Sequence, residues 1–273
     1  MRAHDGLELP EIGLGTYNLR GSQGARAVIS ALENGYRLLD SAFNYENEGA
    51  IGRAIRASQV PRDQIIVTSK LPGRHHARDQ VEYTVEESVM RTGLDHIDLY
   101  LIHWPNPLED LYVQAWQGLI SAQERGLVKH IGVSNFLPEH IERLQRETGV
   151  LPAVNQIELH PYFPQVDELQ WNADHGIITE AWSPVGRGND VTSAAPVLAA
   201  AGAHGVTPTQ VLLAWHLAIG SLPLPKSANS SRQAENLAAA QVELTPAEVE
   251  AITALGRPDG RLRDQDPRRY QEF

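Results

Sequence analysis

What most constrains this chain is a repeated alternation: eight short apolar runs, separated by polar or helix-patterned sequence. The runs span 11–14, 36–40, 64–69, 97–102, 129–133, 153–157, 177–182 and 221–225. Most are apolar at consecutive positions, as strands buried on both faces are, and that pattern belongs to parallel sheets covered by helices. Helical spacing recurs between them, at 25–34, 81–91, 111–125 and 139–146. Eight strand-then-helix units fill the 273 residues without a remainder. This predicts an α/β fold, a parallel (β/α)8 TIM barrel. An open doubly wound sheet is the alternative, and it leaves the even spacing unexplained.

The remaining segments decorate that frame. Asp5-Gly6 is a turn signal between short extended pieces and predicts an N-terminal β-hairpin. Thr207-Pro208-Thr209-Gln210 and Thr245-Pro246-Ala247-Glu248 each combine a capping box with proline at the first helical position. They predict extra helices, one running through Trp215 and one over Val249 to Leu255. Residues 257–273 are polar and irregular, a tail laid over the active-site end of the barrel. No Pro/Gly/Ser-rich linker divides the sequence, so residues 1–273 are expected to form one domain.

Charge and composition exclude several functions. A formal net charge of -11 repels phosphate backbones, so no nucleic-acid partner is expected, although a local basic pocket can still hold a small anionic cofactor. The chain has no cysteine, hence no disulfide, thiolate nucleophile or cysteine metal site. No apolar run approaches the ~18 residues of a membrane span, and the first residues lack the apolar core of a signal peptide. A cytoplasmic protein without a membrane partner is the expectation.

Three consecutive runs end on reactive groups: Asp40 after Leu38-Leu39, Lys70 after Ile65-Ile66-Val67-Thr68-Ser69, and His103 after Leu99-Tyr100-Leu101-Ile102. Tyr45 follows Asp40 in a polar turn. The C-terminal strand ends of such barrels carry the catalytic groups, so these four side chains point to proton-transfer chemistry. Gly13-Leu14-Gly15-Thr16 lacks the third glycine of a dinucleotide fingerprint, because position 18 is Asn. The better phosphate site is Leu224 to Asn236, which follows the eighth strand and leads into a helix, with Ser230 and Gln233 as a possible capping box. Trp182, followed by Ser183-Pro184-Val185-Gly186, offers a flat ring for stacking on a nicotinamide. Asn135 and Gln156, at two further strand ends, offer both donors and acceptors.

With these motifs in order, the chain resembles the aldo-keto reductases over nearly its whole length. The matching segments are Gly13-Leu14-Gly15-Thr16, Leu39-Asp40-Ser41-Ala42 with Tyr45, Asn47 and Glu48, and Thr68-Ser69-Lys70-Leu71. They continue through Leu101-Ile102-His103-Trp104-Pro105, Gly132-Val133-Ser134-Asn135-Phe136, Asn155-Gln156 with Glu158, His160 and Pro161, and Pro225-Lys226-Ser227 with Arg232, Glu235 and Asn236. The compact loops look most like the bacterial branch that includes the diketogluconate reductases. The resemblance implies a catalytic tetrad of Asp40, Tyr45, Lys70 and His103. It implies that Ser134, Asn135, Gln156 and Trp182 hold the nicotinamide half of NADPH, and that Lys226, Ser227, Arg232, Glu235 and Asn236 hold the adenosine phosphate half. Gly15, Thr16, Tyr17, Asp40, Ser183, Pro184 and Gly186 complete the cofactor set by the same resemblance, and Tyr17, Tyr45, His103 and Trp104 the substrate set. Position 17 is Tyr where many members carry Trp, and position 182 is Trp where many carry Tyr. The family also implies a monomer.

Carbonyl reduction needs a hydride at carbon and a proton at oxygen; the cofactor supplies the first and the protein the second. Tyr45 is the expected proton donor. A lysine ammonium at ~4 Å contributes roughly 4 kcal/mol at an effective dielectric of about 20, or about three pKa units. That is enough to draw the phenol toward neutral pH, with desolvation opposing part of it. His103 is expected to donate a hydrogen bond to the substrate oxygen. Tyr17, Trp104, Tyr270 and Phe273 suggest an open aromatic pocket for small aldehydes, ketones or keto sugars.

Two other classes compete with this reading. A barrel hydrolase would use Asp40, His103 and one of His75, His76 or His160 as zinc ligands, but Lys70 repels a cation and no His-x-His pair ends a strand. A nucleotide-sensing subunit would bind cofactor without turnover. No metal is expected.

Overall fold

Each apolar run pairs in parallel with the next one in sequence. In the computed structural model, which describes residues 1–272, the strands are β1 (Leu14–Gly15), β2 (Leu38–Asp40), β3 (Ile66–Leu71), β4 (Ile97–Ile102), β5 (Val128–Ser134), β6 (Val154–Glu158), β7 (Ile178–Trp182) and β8 (Leu222–Pro223). They form one sheet in the order β1-β2-β3-β4-β5-β6-β7-β8. The backbone closes the curl, since Gly13 N donates to Pro223 O at 3.2 Å and Gly15 N to Pro225 O at 3.1 Å. Ten α-helices are present among the described residues: α1 (Gly21–Asn34), α2 (Glu48–Ala57), α3 (Arg78–Thr92), α4 (Tyr112–Glu124), α5 (Pro138–Thr148), α6 (Val166–Asp174), α7 (Ala195–His204), α8 (Pro208–Ala218), α9 (Ser230–Ala238) and α10 (Pro246–Thr253). The parallel barrel is therefore the observed architecture, and no single described helix is long and apolar enough to cross a membrane.

Alternation along each strand sorts the side chains into two layers. Leu38, Leu99, Leu101, Val154, Ile178, Leu222 and Leu224 pack together inside the barrel. Leu39, Val67, Tyr100, Ile102 and Val133 belong to a separate core with helix residues such as Val28, Ile51, Val85 and Trp116. The N-terminal hairpin consists of a single antiparallel bridge, Arg2 with Glu8, around a turn in which Asp5 Oδ1 accepts from Leu7 N at 2.9 Å. Its Ala3, Leu7 and Leu9 join the interior cluster. The tail is fastened at both ends: Arg257 N donates to Tyr162 O at 3.1 Å, and Glu272 N to Asn106 Oδ1 at 2.9 Å.

Local chemistry explains where elements differ from expectation. β1 and β8 are two residues each, because Pro223 and Pro225 lack the N–H that would extend the ladder. Both Thr-Pro capping boxes form, at Thr207 with Gln210 and at Thr245 with Glu248. The second helix stops at Thr253 rather than Leu255. The box expected at Ser230 and Gln233 does not form. Asn229 is the cap, accepting from Arg232 N at 3.0 Å, while the Gln233 amide turns inward to Ala27 O and Ser227 O. Helices α2, α6 and α7 have no counterpart in the sequence pattern, since Gly49 and Gly52 interrupt the first and alanines dominate the last.

One close approach fixes the spacing of α2 against α3. A Cβ placed on Gly52 would lie 1.7 Å from Thr92 O, so backbone meets backbone there. Gly52→Ala is expected to destabilise the fold by about 1–3 kcal/mol, the usual cost of overpacking. A urea midpoint that falls with an unchanged slope checks it.

Candidate active site

The layer above the apolar barrel interior is polar, and the strand register puts it there. Asp40 is opposite Thr68, so Lys70, two residues on, shares its inward face, while Ser69 points outward and donates to Glu48 Oε1 of α2 at 2.6 Å. Lys70 Nζ donates to Asp40 Oδ1 at 2.5 Å and to Ser41 O at 2.8 Å, with Lys70 0% and Asp40 4% exposed. Burial, the largest single influence, pushes the ammonium's pKa down, but the Asp40 charge and hydrogen bond together with the Tyr45 and Glu180 charges outweigh it, and the net shift is upward. Lys70 Nζ sits 5.1 Å from the centroid of the Tyr45 ring. That ring is edge-on to His103 at 6.0 Å and to Tyr17 at 5.2 Å. All four expected catalytic side chains thus stand at one end of the barrel, and Asp40, Tyr45 and His103 line its cavity.

The electrostatics of Tyr45 differ from the expectation. Its pKa is raised, not lowered: burial is the dominant influence, Lys70 pulls the other way, and Asp40 adds a further upward push. A Coulomb estimate from the ammonium alone omits that desolvation. Tyr45 therefore holds its proton as a neutral phenol in the folded protein.

A chain of side-chain bonds couples the other strand ends to this pair. Gln156 Nε2 donates to Asp40 Oδ1 at 2.9 Å and to Glu180 Oε2 at 2.8 Å. Both amide protons are then committed, and Gln156 Oε1 remains as the acceptor of a side chain that lines the cavity. Ser134 Oγ donates to Gln156 O at 2.8 Å, and Asn135 Nδ2 donates to Ser134 Oγ and to His103 O, both at 2.9 Å. Trp182 Nε1 donates to Asn135 Oδ1 at 2.8 Å, which sets the indole plane at the rim. Asn135 holds a positive φ of 64°, a conformation asparagine tolerates better than most residues.

The cavity has a volume of about 600 Å³. Its wall includes Gly15, Tyr17, Ser134, Asn135, Gln156, Trp182, Ser183, Pro184 and Lys226 from the expected cofactor set, and Trp104 from the expected substrate set. Trp104 packs on Tyr270 of the tail with ring centroids 4.4 Å apart. Phe273, expected beside Tyr270, lies outside the described residues. Thr16, Gly186, Ser227, Arg232, Glu235 and Asn236 do not line the cavity. Thr16 is fully buried and its hydroxyl donates to Asp40 O at 2.7 Å, so it braces the strand. Ser227 Oγ and Asn229 close a turn on each other at 3.1 Å. Glu235 Oε1 accepts from Thr207 Oγ1 at 2.8 Å, and Arg232 is exposed at the start of α9.

Two carboxylates were not singled out by the sequence. Glu180 follows Ile178 at the inward spacing of two, which is the signal that could have found it. It is fully buried, and its pKa is pushed up to about 7 by burial and by the neighbouring Asp40 charge. Glu272 comes from the tail, with Oε1 2.7 Å from His103 Nδ1, and no local pattern announces it. Among the described residues, no group of three or more His, Asp and Glu is placed to hold a metal ion. His75 instead meets Thr84 Oγ1 at 2.9 Å and His160 meets Glu158 at 3.0 Å.

The model of the Aldo/keto reductase family matches residues 11–257. A 2,5-diketo-D-gluconic acid reductase B of Corynebacterium sp. (strain SHS752001) is 51% identical over 270 residues, covering 99% of this chain and 97% of that protein. A methylglyoxal reductase of Salmonella typhimurium is 41% identical over 99% of this chain and 97% of its own length. A crystal structure of a Gox0644 mutant in complex with NADPH superposes with a TM-score of 0.94 at 39% identity, covering 99% of this chain and 98% of that one.

Glu180 gives the site a pH signature in stability. Its folded pKa of about 7 lies above the ordinary 4.5, so between these values the folded state keeps a proton that the unfolded state has released. Stability is therefore expected to fall as pH rises from about 4.5 to about 7, with the loss complete above that. Glu180→Gln should flatten this part of the profile, as read from urea unfolding at several pH values.

Proposed function

Because the chain belongs to the aldo/keto reductase family, we propose that its polar cavity reduces small carbonyl compounds with Tyr45, Lys70, Asp40 and His103 as the working residues. The protein is an NADPH-dependent oxidoreductase that converts aldehydes, ketones or keto sugars to alcohols. One observation carries the residue assignment: a buried Lys70–Asp40 pair at 2.5 Å stands directly behind the Tyr45 ring at the wall of the cavity. A solvated surface lysine or a satisfied core histidine would not produce that arrangement.

The donor set fits the cofactor. Trp182 offers a flat aromatic face, Gln156 Oε1 a free acceptor, and Lys226 an exposed cation on the cavity wall. In this reading Ser134, Asn135, Gln156 and Trp182 hold the nicotinamide half, and Lys226, Ser227, Arg232, Glu235 and Asn236 the adenosine phosphate half. NADPH, when bound, supplies the hydride to the carbonyl carbon. The protein's own part is the proton. Tyr45 keeps its O–H because burial holds the phenol neutral. An alkoxide developing on the substrate is a stronger base than a phenolate and takes that proton. The fixed charge of Lys70 then stabilises the phenolate left behind. Asp40 keeps Lys70 charged and aimed, and His103 orients the carbonyl oxygen.

The relatives' activities favour small dicarbonyls and keto sugar acids as substrates. The reading also takes residues 1–273 as one domain acting as a monomer in the cytoplasm, without a nucleic-acid or membrane partner. Adding NADPH and a reactive aldehyde and following reduced-nicotinamide absorbance tests the function. Binding without turnover would favour a nucleotide sensor instead.

Tyr45→Phe keeps the ring and removes the proton. It is expected to retain NADPH binding while kcat falls by at least ~10²-fold, the typical worth of a positioned acid. Near-normal turnover would remove Tyr45 from its role.

NADPH should be preferred to NADH, with Arg232 and Lys226 setting the preference, because a guanidinium fork matches phosphate bidentately. Arg232→Ala is expected to weaken NADPH by about 1.5–3 kcal/mol, the value of a charge-assisted hydrogen bond, and NADH little. Titrations followed by tryptophan fluorescence decide this, and equal weakening of both would place Arg232 on the shared part of the cofactor.

A further inference from the structure

We propose that Glu272, the penultimate residue, is a positioning residue that fixes which nitrogen of His103 bears a proton and acts as counter-ion when His103 donates to a carbonyl. The inference rests on the carbonyl-reductase reading above and deepens it.

Glu272 reaches the site from the far end of the chain, yet it is anchored like a core residue. Its side chain is 10% exposed. Oε1 accepts from Asn44 Nδ2 at 2.9 Å and lies 2.7 Å from His103 Nδ1, an ion-pair contact not aligned as a hydrogen bond. Oε2 accepts from Gly73 N at 3.0 Å. The backbone is clamped by one amide: Asn106 Nδ2 donates to Glu272 O at 2.8 Å, and Asn106 Oδ1 accepts from Glu272 N at 2.9 Å. Asn44, Gly73 and Asn106 lie just beyond β2, β3 and β4. These are the strands that deliver Asp40, Lys70 and His103. One residue, through its carboxylate and its backbone, therefore ties the tail to all three.

The chemistry follows from what a carboxylate can do. An ionised carboxylate only accepts, so the imidazole nitrogen facing it carries a proton. Burial pushes the Glu272 pKa up, but the His103 charge and the surrounding N–H donors bring it below the ordinary carboxylate value. His76 is also nearby, but burial pushes it down to about 4, so it is neutral at pH 7, and His103 is the ring in direct contact with the carboxylate. With Nδ1 turned to Glu272, Nε2 is the nitrogen left for the substrate. A neutral ring protonated on Nδ1 has only a lone pair at Nε2 and cannot donate to a carbonyl oxygen. A ring with both protons can, and Glu272 supplies the negative charge beside it. In that form Glu272 is the counter-ion of His103 as it donates.

A double-mutant cycle of His103→Gln and Glu272→Gln tests this in the full-length enzyme, with saturating NADPH and methylglyoxal as the carbonyl. Glu272→Gln alone is expected to lower kcat/KM at least ~10-fold, with NADPH Kd within about two-fold, whereas in the His103→Gln background it should cost less than about two-fold. Independent, multiplying losses would show that Glu272 only docks the tail and would overturn the proposal. Ring ¹⁵N spectra give a second readout that does not depend on turnover, with the His103 signal assigned by its absence in His103→Gln. Nδ1 should be protonated in the wild type and lose that preference in Glu272→Gln; an unchanged spectrum overturns the proposal. If the wild type reduced no carbonyl, the functional reading would fail while the ring spectra still decided the role of Glu272.

Discussion

The rest of the site depends on one buried ion pair. An unpartnered ammonium in the barrel interior would cost several kcal/mol, so Lys70 is tenable only with Asp40 beside it and Ser41 O as a further acceptor. The pairing in turn requires β2 and β3 to be neighbours at this register. Asp40 Oδ1 is shared with Gln156, Gln156 with Glu180 and Ser134, and Ser134 with Asn135, which holds Trp182. Strands that are distant in sequence are thus cross-braced by donors and acceptors that have few alternatives. The dipoles around the reacting centre are therefore set before any ligand arrives, the condition under which electrostatic stabilisation is most effective.

The charge distribution adds to this. On a chain of net charge -11, Lys226, Arg187 and Arg263 all line the cavity, and none has an ion pair among the described residues. Arg187 lies over the Tyr17 ring, 5.1 Å from its centroid. The mouth is therefore locally basic on an acidic body, so an anionic ligand is drawn to the cleft and repelled elsewhere.

Much of this was legible in the sequence, because the relevant information was local. Asp40, Lys70 and His103 each end an apolar run, and a strand buried on both faces has no reason to end that way except at a site. Glu180 was equally local, since Ile178, Glu180 and Trp182 fall on one face, but reading 177–182 as a uniform apolar run concealed it. Other features needed the third dimension. The capping box read at Ser230 and Gln233 fails because Gln233 is drawn into the core by Ala27 O and Ser227 O, which leaves Asn229 as the cap. Glu272 meets His103 across 169 positions, a contact that no periodicity encodes. The direction of the Tyr45 shift also depends on how much water the fold removes from the phenol, which charge spacing alone does not reveal.

The pairing of Lys70 has a chemical consequence for a protein that handles reactive carbonyls. A neutral amine next to an aldehyde condenses with it to an imine, which is how other enzymes use buried lysines of depressed pKa. Here Asp40, with the Tyr45 and Glu180 charges, more than offsets burial, and the amine stays an ammonium with no lone pair to attack. The same contact that orients the cation thereby keeps it from being consumed by the substrate. With no cysteine anywhere in the sequence, the chain also lacks the other side chain most prone to covalent capture by electrophiles.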